Sequence, residues 1–326
     1  MESESHGPAE PASAELRSYP VRPRTRFAPS PTGYPHLGHV ANAIHVWGLA
    51  RAHGGEVLLR LEDHDGGRCR PEYEASILED LEWLGLTPDI GSVAEFRGGS
   101  SPYRQSDNGP RYDAALTRLG ATHQVYACDC SRKEIGAALE ATNEEIRYSG
   151  RCRERNLEPG PGRGIRVVIG DGAERFDDCI LGHQDQNPAR QCGDVLVKDR
   201  LGNWTYQFGV VVDDLEQGID LVIRGEDLLP STGRQIRLAR MLGRAEPATF
   251  AHHPLIRHRS GQKLSKANRD TGIRDLRASG VGPASVLGQA AYLTGLIEQA
   301  RDLRAEDVVS LFHKTQDQQW HQRRSG

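Results

Sequence analysis

Two short motifs hold residue types suited to phosphate chemistry. His36-Leu37-Gly38-His39 places two imidazoles one turn apart at the start of a pattern in which Val40, Ala43, Ile44 and Trp47 share a helical face. The free amides and dipole of a helix N-terminus attract an anion, and Gly38 leaves no side chain in the way of a close-lying ligand. Far downstream, Lys263-Leu264-Ser265-Lys266 follows a Ser-Gly pair and so reads as a loop. Two flexible point charges flanking a hydroxyl suit a pyrophosphate leaving group. Taken singly, the histidine pair also suits a metal or a solvated turn, and the lysines a solvated basic loop. Together they point to a nucleotide site.

A second group of residues lies where hydrophobic runs end in charge. Glu56-Val-Leu-Leu-Arg-Leu-Glu62-Asp63 reads as a buried strand ending in carboxylates, and Leu221-Val-Ile-Arg224-Gly-Glu-Asp227 repeats the design. Ligand residues in α/β sheets lie at such strand ends. An arginine in a buried run needs an anionic partner, either an internal carboxylate or a bound one. A third group is Cys128-Asp-Cys130 with Cys152 beyond it. Three thiols suit zinc, with His123, Asp129 or Tyr148 as fourth ligand; the alternative is a set of buried free cysteines. Cys69, Cys179 and Cys192 are isolated and read as structural.

These residues require an α/β framework. A short strand around Phe27, a Pro- and Gly-rich turn, the helix from Leu37 and the strand from Glu56 begin a βαβ unit. Pro71 opens a helix that Gly85 stops, a shorter helix spans about Tyr112 to Leu119, and Ser131-Arg-Lys-Glu134 is a capping box. Residues 89–110 read as a loop and 153–193 as irregular. Strands are expected at Asp194–Asp199 and Trp204–Val212, with Asp213 and Asp214 ending the second. Thr232 and Gln235 are expected to cap a helix, and helical patterns recur at about 284–297 and 305–313. The expected organisation is a tail (1–22), a Rossmann-like catalytic domain in two halves (23–112 and 194–256), an inserted zinc-binding module (113–193) and a loop with a small helical subdomain (257–326).

Composition bounds the function. The 326 residues are 37% hydrophobic and 26% charged with a net charge of -4, which argues against non-specific coating of nucleic acid but leaves room for a local basic patch. Six cysteines in a chain this long suggest metal binding in a reducing compartment rather than a disulfide framework. Residues 1 to about 22 lack the apolar core of a signal peptide, and no run reaches the length of a membrane span. A soluble, cytoplasmic protein is expected.

HLGH at 36–39 and KLSK at 263–266, in that order, resemble the two signatures of class I aminoacyl-tRNA synthetases. Arg26-Phe-Ala-Pro-Ser-Pro-Thr-Gly33, Arg60-Leu-Glu-Asp63 and Val222-Ile-Arg-Gly-Glu-Asp227 are similar to the glutamate-specific branch. That branch implies a substantial helical anticodon-binding region after KLSK, and here about 60 residues follow. With the cysteine spacing and the residues after Lys266, the resemblance narrows to the glutamyl-queuosine tRNA(Asp) synthetase family. The nearest alternative is a truncated glutamyl-tRNA synthetase; a more distant one is an HxGH nucleotidyltransferase.

The resemblance implies tRNA-independent activation of L-glutamate with ATP and Mg²⁺, then transfer to the queuosine base of tRNA(Asp). It implies glutamate contacts at Arg26, Phe27, Ala28, Pro29, Ser30, Glu62, Tyr206 and Arg224. ATP would meet His36, Gly38, His39, Lys263, Ser265 and Lys266, of which His36, His39, Lys263 and Lys266 are the catalytic candidates. One structural Zn²⁺ would be held by Cys128, Cys130, Tyr148 and Cys152, and the protein would act as a monomer. No residue in the sequence stands out as a general base for the transfer step.

Overall fold

The computed structural model describes residues 19–137, 147–256 and 272–312. Along the chain, β1 (Arg24–Phe27) leads through the Pro-rich turn to α1 (Leu37–Ala52), β2 (Glu56–Leu59) and α2 (Pro71–Leu84). β1 and β2 pair in parallel, from Arg24 opposite Glu56 to Phe27 opposite Leu59. The punctuation of α2 is as the sequence reads: Pro71 occupies its first turn and Gly85 closes it at φ 75°. Most of α1 is buried, because it is covered by the sheet on one side and by C-terminal helices on the other.

After α2 come α3 (Val93–Arg97), α4 (Gly109–Thr122), β3 (Val125–Cys128) and α5 (Arg132–Ala137). The loop expected at 89–110 thus contains α3, whose first turn is capped by the Ser92 hydroxyl accepting from Glu95 N at 3.1 Å. α5 opens as expected, with Glu134 Oε2 accepting from Ser131 N at 2.7 Å and Ser131 Oγ accepting from Glu134 N at 3.2 Å.

The stretch read as irregular, 153–193, is a correction. It holds β4 (Gly164–Val167), β5 (Glu174–Asp178), β6 (Gly182–Gln186) and α6 (Pro188–Gln191). β5 and β6 are short and mostly polar, so they give no hydrophobic run to read, whereas β4 belongs to the apolar run Ile165-Arg-Val-Val-Ile169. β7 (Val195–Lys198) follows, then α7 (Tyr206–Glu216), which replaces the strand expected at Trp204–Val212. The Val210-Val-Val run favours a strand intrinsically, but burial of Phe208 and Val210–Val212 between two layers overrides it. The chain continues through β8 (Leu221–Gly225), α8 (Thr232–Met241), β9 (Thr249–His253), α9 (Ile273–Ala278) and α10 (Pro283–Leu293), and a 3-10 helix at Ala305–Leu311.

β8 and β9 pair in parallel in a sheet ordered β6-β5-β9-β8. β8 runs alongside β1, with Asp220 N donating to Arg24 O at 3.1 Å and Arg24 N donating to Asp220 Oδ1 at 2.7 Å. Phe27, Val57, Leu59, Leu221, Ile223 and Ala251 share one core, so β1, β2, β8 and β9 form one α/β layer. β3, β4 and β7 form a separate antiparallel sheet whose core is shared with α4 and α7. The 113–193 range therefore contains strands of both sheets: β5 and β6 pair toward β9, whereas β7 joins β3 and β4.

Candidate active site

The ends of β1, β2 and β8 meet the start of α7 around a cleft of about 370 Å³ lined by Arg26, Ser30, Glu62, His64, Tyr206 and Arg224 among others. Ala28 also lines it, with Thr32 and Asn42. Phe27 and Pro29 instead line a separate apolar cavity with His39, Val40 and Leu81, and the Phe27 ring packs on Trp47 at 5.3 Å. The alternation of a strand end divides consecutive residues between cleft and core.

Three arginines converge here with two carboxylates. Arg60 is fully buried; its Nη1 donates to Asp214 Oδ1 at 2.7 Å and its Nη2 to Glu62 Oε1 at 3.1 Å. Arg26 Nε donates to the same Asp214 oxygen at 3.2 Å, and its Nη1 to Ile223 O at 3.3 Å. Burial alone would raise the Asp214 carboxyl, but the Arg26 and Arg60 guanidinium groups outweigh it and hold its pKa below the usual range. Glu62 is thereby aimed by Arg60, not by Arg224. Burial raises the Tyr206 phenol, so it remains a neutral donor in the cleft.

Arg224 is held differently. Its Nε donates to His252 Nε2 at 3.0 Å, Nη1 to Gln235 Oε1 at 2.7 Å and Nη2 to Thr232 Oγ1 at 2.9 Å. Thr232 and Gln235, read from sequence as helix caps, serve as ligands of this arginine; α8 makes no side-chain cap bond at its N-terminus. His252 Nδ1 lies 2.6 Å from Asp178 Oδ2, so Nδ1 carries the proton and donates to Asp178, leaving Nε2 as the acceptor for Arg224. Burial lowers the His252 pKa and keeps the ring neutral. Burial also lowers the pKa of Arg224, which makes no ion pair with a described carboxylate. A guanidinium has five N–H donors, and three are committed to neutral acceptors. Arg68, also on the cleft, pairs with Asp65 at 2.6 Å. Arg26, Glu62, Tyr206 and Arg224 therefore meet on the cleft lining, with the Arg60–Asp214 pair behind them.

At the cleft's edge, His36 caps α1. Its Nδ1 accepts from Gly38 N at 3.1 Å, and His39 Nδ1 accepts from His36 N at 3.2 Å. A Cβ on Gly38 would lie 2.8 Å from His36 Cε1, so glycine is needed there for the imidazole to fold over the helix start. Lys263, Ser265 and Lys266 lie outside the described residues. The chain on either side of residues 257–271 returns to α1: His253 Nε2 is 3.0 Å from Asn42 Oδ1, and Ile273 N donates to Pro35 O at 3.0 Å beside the His36–Gly272 bridge.

The cysteine cluster is also assembled. The sulfurs of Cys128, Cys130 and Cys152 lie within 4.8 Å of one another, all buried. Cys130 and Cys152 are in contact at 3.5 Å without a bond. Tyr148 Oη lies 3.4 Å from Cys128 Sγ; Asp129 Oδ1 lies 3.3 Å from Cys152 Sγ and also pairs with Arg155 at 2.7 Å, while His123 turns to Thr122. Arg166 Nε donates to Cys128 Sγ at 3.4 Å and its guanidinium stacks 3.7 Å over the Tyr148 ring. Gly193, at φ 69°, passes so close to Tyr148 that a Cβ would fall 2.0 Å from its carbonyl oxygen. Buried sulfurs and a phenol backed by cationic donors fit a metal ion.

Sequence reasoning missed Asp214 as the hub of the cleft, the Asp178–His252 support of Arg224, and Asn42 and His64 in the lining. The Asp213-Asp214 pair closing a hydrophobic run was a signal for the first. The others come from elements distant in the chain, and no spacing marks them.

A parallel α/β layer with a histidine-capped helix beside a charged cleft is the architecture of a class I tRNA synthetase. The family described as tRNA synthetases class I (E and Q), catalytic domain, matches residues 22–318. A protein named Glutamyl-Q tRNA(Asp) synthetase from Symbiobacterium thermophilum is 39% identical over 302 residues, 88% of this chain and 91% of that one. One of the same name from Burkholderia cenocepacia is 43% identical over 280 residues, 82% and 89% of the two chains. Among solved structures, a glutamate tRNA ligase from Elizabethkingia meningosepticum in complex with its amino acid is 29% identical with a TM-score of 0.68; the match covers 83% of this chain and 60% of that one. The chain belongs to the glutamyl-Q tRNA(Asp) synthetase family of the class I (E and Q) synthetases.

Proposed function

We infer that the protein activates L-glutamate with ATP, without tRNA, and transfers it to the queuosine base of tRNA(Asp). The observation that carries the substrate is the meeting of two arginines, Arg26 and Arg224, with the carboxylate of Glu62 and the neutral phenol of Tyr206 on one cleft lining. Glutamate has two carboxylates and one ammonium, a net charge of one negative. Arg224, which makes no ion pair with a described carboxylate, reads one carboxylate; Arg26 attracts the other; Glu62 pairs with the ammonium; Tyr206 and Ser30 fix its orientation. Phe27, Ala28 and Pro29 supply the backbone that brings Arg26 and Ser30 to the same strand end.

In the first step a carboxylate oxygen of glutamate attacks the α-phosphorus of ATP in line, and pyrophosphate leaves with the bonding electrons. Positioning and charge stabilisation are the protein's contribution. His36 and His39 at the start of α1 stabilise the phosphates, and the resemblance assigns Lys263, Ser265 and Lys266 to the leaving pyrophosphate. Mg²⁺ enters with ATP. Cys128, Cys130, Tyr148 and Cys152 would hold Zn²⁺, which would cross-link the module after β3 in a structural role.

The test is glutamate-dependent pyrophosphate exchange without tRNA, followed by transfer to tRNA(Asp) with and without queuosine. Exchange and queuosine-dependent transfer support the reading. Equal charging of queuosine-free tRNA, or charging of tRNA(Glu) at its 3′ end, would favour an ordinary glutamyl-tRNA synthetase.

A further inference from the structure

The second step needs a base to take the proton of the attacking hydroxyl, and the cleft contains one. Beyond β2 the side chains alternate. Glu62 enters the cleft; Asp63 turns away to Ser106 Oγ at 2.7 Å and Arg104 at 3.3 Å; His64 enters the cleft again. His64 Nδ1 is 2.7 Å from Gln105 Oε1. The orientation of that amide is fixed from behind, because Gln105 Nε2 donates to Asp213 Oδ2 at 2.8 Å. Asp213 is fully buried and surrounded by donors: Tyr112 Oη at 2.8 Å, Arg111 Nη1 at 3.2 Å and Asn108 Nδ2 at 3.3 Å. A carboxylate among donors can only accept, so Gln105 must present its oxygen to His64 and His64 Nδ1 must carry the proton. Its Nε2 is then a lone-pair acceptor on the cleft side and makes no hydrogen bond to a described residue. The other ionisable groups of the lining are arginines, a raised phenol, and Glu62, which is occupied by Arg60.

We propose that His64 is the general base of glutamyl transfer, with Gln105 and Asp213 as positioning residues that set its tautomer. The inference rests on the function proposed above. A hydroxyl of the acceptor nucleoside attacks the carbonyl carbon of glutamyl-adenylate while its proton passes to His64 Nε2. The new carbon–oxygen bond forms, the carbonyl–phosphate bond breaks, and AMP leaves with the electron pair.

The experiment compares two rates in the full-length protein: pyrophosphate exchange, and single-turnover transfer from preformed enzyme-bound adenylate to queuosine-containing tRNA(Asp). In His64→Asn, whose amide can still donate to Gln105, the ratio of transfer to exchange should fall by roughly 100-fold or more, within the range of general-base contributions. In His64→Gly, added imidazole should restore transfer in a concentration-dependent way. An unchanged ratio overturns the proposal. So does an equal loss in both steps without imidazole rescue, which is the signature of a structural role. A wild-type protein without glutamate-dependent exchange overturns the parent reading and this one with it.

Discussion

Arg224 shows how a buried cation is kept ready for an anion that is not part of the fold. Its three protein partners are a threonine, a glutamine and a neutral histidine, so none cancels its charge. Removing a charged donor from a buried anion site costs about 1.5–3 kcal/mol per hydrogen bond. Arg224→Ala should therefore raise the KM for glutamate by roughly 10- to 100-fold in steady-state exchange, and an unchanged KM would remove Arg224 from the site. His252→Ala should raise KM by a smaller factor, because Thr232 and Gln235 still hold two of the three nitrogens. At this scale the sequence was legible where motif and chemistry coincide, as at Glu62, Arg224 and the three cysteines. It was illegible where the reason for a residue lies elsewhere in the chain: Thr232 and Gln235 resemble caps until Arg224 is seen between them.

Elements position these groups through close approaches that can be tested one by one. Gly193 permits the backbone contact that presents Tyr148 to the sulfurs, and a side chain there meets both a positive φ and a clash with the Tyr148 carbonyl. Gly193→Ala should lower thermal stability by several degrees and weaken zinc retention, measured by calorimetry and by metal content after gel filtration; a variant that melts and retains metal like wild type would show that Tyr148 is not placed by this contact. A chelator that strips the metal should likewise lower the melting temperature. The elements readable in advance, α1 and α2, are those framed by Pro, Gly or a capping side chain. α7 was not, since Val210–Val212 carry strand propensity and only the two layers around them make the helix the better burial. β5 and β6 were hidden because short polar strands have no hydrophobic period to detect.

Under α1, His253 stacks on His45 at 4.4 Å, linking β9 to the helix that carries the histidine motif. Burial is the main cause of the low pKa of both: His253 is held down to about 4, and His45 well below the ordinary 6.5. The folded state thus disfavours protonation that the unfolded chain accepts. Stability from these groups is fully present above the ordinary value and is lost as pH falls through 6.5 toward 4. For His253 alone the loss is of order 3 kcal/mol. Denaturant unfolding at pH 7 and pH 4.5 should show a smaller drop for His253→Leu than for wild type, and identical drops would contradict this assignment.

At the scale of the whole molecule, one α/β layer collects the proposed glutamate contacts at the ends of β1, β2 and β8, and α1 starts beside them with the histidine pair proposed to meet the nucleotide. The strands of that layer were legible one by one, because the βαβ signals at its start and the strand-to-charge pattern of β8 are both explicit in sequence. The assignment of β5 and β6 to the same sheet as β9 was not explicit, since it depends on a pairing across some 70 residues. The proposed function requires carboxylate and phosphate to meet before any tRNA is present. The central claim is therefore tested most directly by exchange of labelled pyrophosphate into ATP with purified protein, glutamate and Mg²⁺ in the absence of RNA. Exchange that depends on glutamate, and is not supported by glutamine or aspartate at equal concentration, is the predicted result. Exchange that appears only when tRNA is added would contradict it.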